Sequence, residues 1–194
     1  MDEFEQIREK ILTCTNCDLC KARHNPVFGE GNRNAPVMVI GEGPGYYEDM
    51  EGKPFVGRSG QLLDKIFAAC GFSRDKQIFI GNIVKCRPPE NRTPTSQEMA
   101  ICIPYLYRQI ELIDPKIIIL LGSTALKGLI DSNAKITQMR GQWIEWRGRC
   151  VMPTYHPSAL LRNPGLKRDA WEDFKKVIDK YREIVDPQHY SKYH

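Results

Sequence analysis

The 194-residue chain has no apolar run close to the roughly 20 residues that cross a bilayer as a helix. It also has no internal repeat and no low-complexity segment. Its first residues are acidic (MDEFE), which excludes the basic start of a signal peptide. We therefore expect a cytoplasmic protein with no membrane partner. The length suits a single domain over residues 1–194.

The chain also has little excess of charge of either sign. Its 28 Lys and Arg residues and 24 Asp and Glu residues give a net charge of +4. Such a mild positive charge permits a nucleic-acid partner without requiring one. The seven cysteines are an odd number and a high count for a reducing compartment. Disulfides are rare in such a compartment, so ligation of a metal or cluster explains these cysteines better.

Apolar periodicity and turn residues predict helices that alternate with strands. The predicted helices cover 3–12, 61–70 after a Ser59 cap, 96–113 after a Thr95–Glu98 capping box, 123–130 with Ser123 as cap, and 168–185. The predicted strands cover 37–40, 77–81, 116–121, 143–146 and 149–152. Residues 46–58 are predicted as a loop and 187–194 as a frayed tail. This alternation indicates an α/β fold, a three-layer α/β/α sandwich with a mainly parallel central sheet.

The stretch VMVIGEGPG at 37–45 is the centre of the pattern, because a short apolar run there stops at a glycine-rich turn. Such a run is typical of a strand buried on both faces, and ligands of open α/β sheets bind at strand ends. Gly41 and Gly43 let the backbone approach a ligand, and Glu42 can face a pocket. A dinucleotide fingerprint is disfavoured, because its third glycine falls on Tyr46 and we expect no helix to start through Pro44 and Gly45.

Polar residues follow the other predicted strands. Asn82 and His156 could meet Glu42 at one sheet edge, because parallel strands share that edge. Taken singly, Asn82 could be a turn residue, His156 a loop residue and Phe55 a core anchor. Together they suit recognition of a planar base with amide-like groups. An aromatic ring can stack on such a base, and an Asn side chain can form hydrogen bonds with its N–H and carbonyl groups. An imidazole can stabilise a developing oxyanion, and a carboxylate can orient water.

The segment after His156 reads PSALLR and places two leucines beside a cation. Leu160 and Leu161 could enter a base stack while Arg162 binds phosphate, or they could pack in the core of a short amphipathic helix. Several cations lie in or next to the same loops and could form one basic face for a phosphate backbone. They are Arg58, Lys85, Arg87, Arg92, Arg162, Lys167 and Arg168.

Cysteines at 14, 17 and 20 form a C-x2-C-x2-C half-site for zinc or an iron–sulfur cluster. Cys86 and Cys102 could complete four thiolate ligands, although Cys102 could instead be a core residue on the apolar face of its helix. The spacing alone neither excludes Cys20 nor chooses between zinc and iron. Cys70 and Cys150 are expected in the core.

Four separated blocks together resemble one known family. They read GEGPG at 41–45, KPFVGRSGQLL at 53–63, GNIVKCRPP at 81–89 and HPS at 156–158. In this order they are similar to the family 4 uracil-DNA glycosylases, iron–sulfur enzymes of thermophilic and other prokaryotes. The similarity runs from about Cys14 to the last helix. Gly43 stands where the family commonly has Ala, and Tyr46 and Tyr47 stand where acidic residues are usual, while Glu48 is retained.

The resemblance implies a DNA-repair hydrolase that flips uracil out of DNA and cleaves its N-glycosidic bond, leaving an abasic site. In this role Phe55 stacks on the uracil ring. Asn82 donates to O4 and accepts from N3–H, whereas cytosine offers the opposite pattern. His156 stabilises charge on O2 of the leaving base, and Glu42 positions the water that attacks C1′.

The resemblance also implies the remaining site residues and partners. Base-pocket residues are Gly41, Gly43 and Glu48, and DNA contacts are Arg58, Ser158, Leu160, Leu161 and Arg162. The cluster is 4Fe-4S, it is structural, and it ties the N-terminal segment to the domain. Its ligands are Cys14, Cys17, Cys86 and Cys102, with Cys20 left out. Uracil-containing DNA is the expected partner, a sliding clamp is a candidate second partner, and a monomer is expected.

Two other functions stay open from the residues alone. An iron–sulfur protein of redox or regulatory function predicts that Cys20 is a ligand and that the cluster exchanges electrons. A non-catalytic nucleic-acid-binding module predicts binding through the basic loops without release of a base.

Overall fold

The computed structural model describes residues 2–194, which form nine α-helices and one six-stranded sheet. The helices are α1 Glu3–Leu12, α2 Leu19–Ala22, α3 Tyr46–Glu51, α4 Arg58–Cys70, α5 Ser96–Ile113, α6 Gly122–Leu129, α7 Ile136–Met139, α8 Pro157–Arg162 and α9 Lys167–Ile184. The strands are β1 Glu30–Gly31, β2 Val37–Gly41, β3 Ile78–Asn82, β4 Ile117–Leu121, β5 Ile144–Trp146 and β6 Arg149–Thr154. In this part of the chain, no helix is both long and apolar enough to cross a membrane.

The sheet has the order β1-β3-β2-β4-β6-β5. Its four inner strands run parallel, and the short β1 and β5 pair antiparallel at the two edges. Every residue of β2, β3 and β4 is buried, as the apolar runs predict for strands covered on both faces. The predicted mainly parallel sheet is confirmed.

Helices cover both faces of the sheet. Because side chains alternate along a strand, Met38 of β2 packs in one core with α5, while Val39 packs in the other with α4 and α9. Leu106 is a buried α5 residue of the first core, and Phe67 and Phe174 belong to the second. The predicted three-layer α/β/α sandwich is therefore confirmed.

Strand register decides which residues meet at the sheet edge. Gly41 at the end of β2 pairs with Asn82 at the end of β3. On the other side of the sheet centre, Leu121 at the end of β4 pairs with Thr154 of β6. All four strands therefore end at the same edge, and the loops that follow them build one site.

Local sequence signals set several helix ends as predicted. Thr95 and Glu98 form a reciprocal capping box at the start of α5. Gly71 ends α4 in the left-handed conformation, with φ of 77°.

Residues 46–58 were predicted as a loop, and this prediction is wrong, because α3 begins at Tyr46. Pro44 and Gly45 do not obstruct the helix, because both lie before it and Gly45 serves as its extended N-cap. Glu48 and Asp49 in the first turn favour the helix through its dipole. Gly52 then ends it in the left-handed region.

Two predicted serine caps are also wrong. Gly57 is the N-cap of α4, so Ser59 lies inside its first turn. Helix α6 begins at Gly122 directly after β4, so Ser123 is a helical residue and no side chain caps this helix.

The C-terminal tail packs on the domain, so the prediction of fraying is wrong at its buried residues. His189 and Ser191 are both buried. His189 Nε2 lies 2.8 Å from the Cys70 carbonyl oxygen, and its ring stacks on Phe72 at 4.8 Å. Ser191 Oγ donates to the Ala69 carbonyl oxygen. The tail thus satisfies carbonyl groups at the end of α4, which have no partner within the helix.

Candidate active site

Gly41, Asn82 and Phe55 meet at the shared strand edge. A Cβ atom at Gly41 would lie 2.6 Å from Asn82 Oδ1 and 2.7 Å from Phe55 Cζ. Only glycine therefore lets the amide and the aromatic ring approach the β2 backbone this closely. Gly43, two residues further, has Val84 in a similar position, because a Cβ there would lie 2.7 Å from Val84 Cγ2.

The backbone of the loop that carries Phe55 is held by polar contacts. Phe55 has a φ of 51°, which a non-glycine residue rarely adopts. The Arg74 guanidinium donates to the carbonyl oxygens of Pro54 (2.8 Å) and Phe55 (2.6 Å). Glu48 Oε1 accepts from the backbone N–H groups of Val56 and Gly57, each at 3.0 Å. Glu48, predicted as a base-pocket residue, therefore fixes the loop that carries Phe55.

Asn82 is buried, and its Oδ1 has no hydrogen-bond partner among the described residues. An unpaired buried acceptor costs about 1–3 kcal/mol, so such an atom points to a group that arrives from outside. The backbone around Asn82 is fixed by Lys85, whose Nζ donates to the Asn82 carbonyl oxygen (2.9 Å) and to Gln109 Oε1 (2.6 Å). Lys85 is 2% exposed, so the prediction that it belongs to a basic surface is wrong.

Glu42 follows β2 and is half-buried. Its Oε2 accepts a hydrogen bond from Thr124 Oγ1 of α6. Glu42 and His156 line the same cavity of about 470 Å³, together with Thr124, Ser158 and Arg162. The carboxylate and the imidazole thus face one space, as predicted from their positions after parallel strands.

His156 is the N-cap of α8, and its Nδ1 accepts from the Ser158 backbone N–H at 3.0 Å. Because Nδ1 is an acceptor here, the neutral ring carries its proton on Nε2. Burial lowers the pKa of His156 from 6.5 to about 4, and the positive charge of Arg162 adds to this effect. The ring is therefore a neutral donor near pH 7. Its centre lies 5.6 Å from the Phe55 ring centre, which joins the aromatic side of the site to the cavity.

The predicted DNA-contact residues divide into two groups. Leu160 is 1% exposed and packs in the core, so its predicted role as a wedge is wrong, whereas Leu161 is 37% exposed. Successive helical residues point about 100° apart, so α8 packs Leu160 against the domain while Leu161 reaches the surface. Arg58 and Arg162 are exposed, and Ser158 lines the cavity.

A second cavity lies between α1, α5 and the loop after β3. Its lining includes five cysteines: Cys14, Cys17, Cys20, Cys86 and Cys102. Tyr105 OH donates to Cys14 Sγ at 3.3 Å, and Arg23 Nη1 donates to Cys86 Sγ at 3.0 Å. Within residues 2–194, no three His, Cys, Asp or Glu side chains are grouped to hold a single metal ion. As predicted, Cys70 is buried, and Cys150 packs half-buried against the core.

Sequence reasoning missed three supporting residues. Thr124 lies three positions after the end of β4, and this position close to a strand end was a signal that could have revealed it. Arg74 and Gln109 act on backbone and side-chain atoms that lie 19 to 24 positions away in sequence. No local pattern marks such partners.

Comparisons with known proteins agree with this geometry. A family profile described as "Uracil DNA glycosylase superfamily" matches residues 28–175. The Type-4 uracil-DNA glycosylase of Sulfurisphaera tokodaii is 44% identical over 201 residues, covering 98% of this chain and 89% of that relative.

Two further relatives have the same name. The Type-4 uracil-DNA glycosylase of Thermotoga maritima is 47% identical over 178 residues, covering 90% of this chain and 92% of that relative. The one from Saccharolobus solfataricus is 46% identical over 186 residues, covering 91% of this chain and 86% of that relative.

Proposed function

Because the chain belongs to the uracil DNA glycosylase superfamily, we propose that Glu42, Asn82 and His156 together excise uracil from DNA. The protein is a DNA-repair hydrolase that cleaves the N-glycosidic bond and leaves an abasic site. The observation that carries the assignment of residues is the buried Oδ1 of Asn82, which has no partner among residues 2–194 and lies beside Phe55 and Gly41.

Asn82 reads the base after it has been flipped out of the helix. Its Oδ1 accepts from N3–H of uracil, and its Nδ2 donates to O4. Cytosine has an acceptor at N3 and a donor at N4, so it leaves both amide groups of Asn82 unpaired in a buried site. Phe55 supplies the stacking face, and the backbone of Gly41 and Gly43 lies along the base. The loop that Glu48 fixes closes this side of the pocket.

His156 acts on the leaving group. When the bond between C1′ and N1 breaks, its electron pair leaves with uracil, and negative charge spreads onto O2. A neutral imidazole stabilises this negative charge by donating a hydrogen bond from Nε2 to O2. The lowered pKa of His156 keeps the ring in this form.

Glu42 acts on the nucleophile. Its carboxylate positions a water molecule toward C1′ and accepts a proton as the new C–O bond forms. Thr124 Oγ1 binds the other carboxylate oxygen and so sets the orientation of the group. Arg58, Ser158, Leu161 and Arg162 contact the DNA around the flipped nucleotide, Arg162 through phosphate.

The cavity with five cysteines suits an iron–sulfur cluster. Its lining contains thiols and no carboxylate, which is the soft donor set that such clusters use. Cys14, Cys17, Cys86 and Cys102 hold a 4Fe-4S cluster, and Cys20 stays outside the ligand set. When bound, the cluster supplies a covalent crosslink between the N-terminal segment, α5 and the loop after β3.

The wider setting follows from the same proposal. Residues 1–194 form a single domain that acts as a monomer on uracil-containing DNA in the cytoplasm. The seven free cysteines fit a reducing compartment. A sliding clamp as second partner stays a prediction.

The direct test uses an oligonucleotide that contains one uracil and a matched oligonucleotide with thymine at that position. After incubation with the protein, alkali cleaves any abasic site. We expect a strand break only in the uracil substrate. Intact strands at excess protein would reject the proposal. A shift of labelled DNA without a break would then favour the non-catalytic binding module, and reversible changes in cluster absorption would favour a redox protein.

A further inference from the structure

Helix α3 presents large exposed aromatic residues that the reaction does not use. Tyr46 is 49% exposed and Tyr47 is 60% exposed. Their rings meet edge to face, with centres 5.3 Å apart and planes 87° apart. Both rings are therefore accessible to a ligand.

These tyrosines lie on the helix that contacts the proposed uracil pocket. Tyr46 follows the glycine-rich turn directly. Glu48 of the same helix binds the backbone of Val56 and Gly57 beside Phe55. A Cβ atom at Gly57 would lie 3.4 Å from Tyr47 Cδ2, which is ordinary contact distance. Helix α3 therefore connects the two tyrosines to the loop that carries Phe55.

A cation accompanies the rings. The guanidinium carbon of Arg87 lies 5.3 Å from the Tyr46 ring centre, and Arg87 Nε donates to Asn91 Oδ1 at 2.7 Å. Arg87 belongs to the loop after β3, and Asn82 is the last residue of that strand. Exposed aromatic rings beside a held guanidinium are the groups with which proteins stack bases and follow a single-stranded backbone.

The site offers few apolar side chains that could intercalate into a base stack. Leu160 is buried, so Leu161 is the single exposed leucine of α8. A duplex target needs its gap filled after the base flips, whereas a single strand needs its neighbouring bases held.

We propose that Tyr46, Tyr47 and Arg87 form a stacking platform for unpaired nucleotides next to the uracil and make single-stranded DNA the favoured substrate. The inference rests on the proposed function, because it concerns the same substrate. The platform acts in binding, so its loss affects capture of the single strand and leaves the chemical step intact.

The test compares kcat/KM for one uracil sequence in single-stranded and double-stranded form. The protein is used as the full chain with its cluster. For the variant with both Tyr46→Ala and Tyr47→Ala, we expect kcat/KM on the single strand to fall by about 10-fold or more. On the duplex it stays within about 2-fold, and saturating single strand restores kcat. The variant with both Tyr46→Trp and Tyr47→Trp keeps the single-strand preference, because tryptophan also stacks.

A matched control removes two exposed tyrosines far from the site in sequence. Tyr190→Ala with Tyr193→Ala leaves both substrates unaffected. Equal losses of kcat/KM on both substrates in the Tyr46 and Tyr47 variant, or no loss, would overturn the platform.

Fluorescence anisotropy with a labelled, uracil-free single strand distinguishes failure of the platform from failure of the proposed function. If the wild-type protein excises no uracil but its single-strand affinity still depends on Tyr46 and Tyr47, the proposed function fails and the platform stands. If excision occurs and this affinity is unchanged in the variant, the platform fails.

Discussion

Lys85 places its buried ammonium group 2.9 Å from the carbonyl oxygen of Asn82, the residue proposed to read the base. Its second partner is Gln109 Oε1, and Gln109 Nε2 in turn donates to the Phe28 carbonyl oxygen at 2.8 Å. Both of these acceptors of the Lys85 ammonium group are neutral oxygens. A buried charge that is held by neutral acceptors commits the surrounding backbone to one arrangement.

Replacing this lysine therefore affects stability as well as the site. Lys85→Met removes the donor to two buried acceptors, each of which costs about 1–3 kcal/mol when left unpaired. We expect the free energy of unfolding, measured with urea, to fall by about 3 kcal/mol. The exposed Lys65→Met is the control and stays within about 0.5 kcal/mol of the wild type. Equal stability of the two variants would show that Lys85 does not hold Asn82.

Asn82→Asp tests the reading of the base. The substitution keeps the size of the side chain but replaces the Nδ2 donor to O4 with an acceptor. Sites built to pair a polar group reject a mismatch strongly, so we expect the single-turnover excision rate to fall by at least about 100-fold. Asn163→Asp, on the exposed turn after α8, leaves the rate unchanged. An unaltered rate in Asn82→Asp would remove this residue from the pocket.

The sheet could be predicted because its strands carry an unambiguous signal. Runs such as VMVI and IIILL are too short for helices, are flanked by turn residues and are buried on both faces. Parallel strands end at one edge, so it could be inferred before any coordinates that Glu42 and His156 line one cavity and that Asn82 lies beside Gly41 at the same edge. The capping box of α5 is equally local.

What could not be predicted depends on contacts distant in sequence. The helix at Tyr46 has local signals in its acidic first turn and in Gly52, but the support that Glu48 gives through Val56 and Gly57 has none. The choice between Leu160 and Leu161 depended on which side of α8 meets the core. The ring of His189 in the tail forms a hydrogen bond with the carbonyl oxygen of Cys70, 119 positions away. The spacing of apolar residues does not predict such a partner.

The cysteines allow a test of the cluster that is independent of activity. Cys86→Ala and Cys102→Ala remove thiolates proposed as ligands, so the purified protein loses its brown colour and most of its iron. Cys20→Ala and the core control Cys150→Ala retain both. Iron per chain and visible absorption are the measurements. Loss of iron in Cys20→Ala, with retention in Cys86→Ala, would exchange the roles of these two residues.

His156 makes stability depend on pH in a predictable direction. Its folded pKa of about 4 lies below the unfolded value of 6.5, so the unfolded chain binds the proton first as the pH falls. Stability is unaffected above the unfolded pKa and is lost as the pH falls from 6.5 toward about 4. At about pH 5 the expected loss is about 2 kcal/mol, from about 1.4 kcal/mol per pH unit.

The comparison variant is His156→Asn, because the Asn side chain also accepts from the Ser158 N–H as an N-cap but does not titrate. Free energies of unfolding are measured in urea at about pH 7.5 and about pH 5 for both proteins. The other titrating groups are shared, so they cancel, and the wild type loses about 2 kcal/mol more than the variant. Equal losses in the two proteins would mean that His156 is protonated as readily when folded as when unfolded. The neutral donor to O2 would then have to be another group.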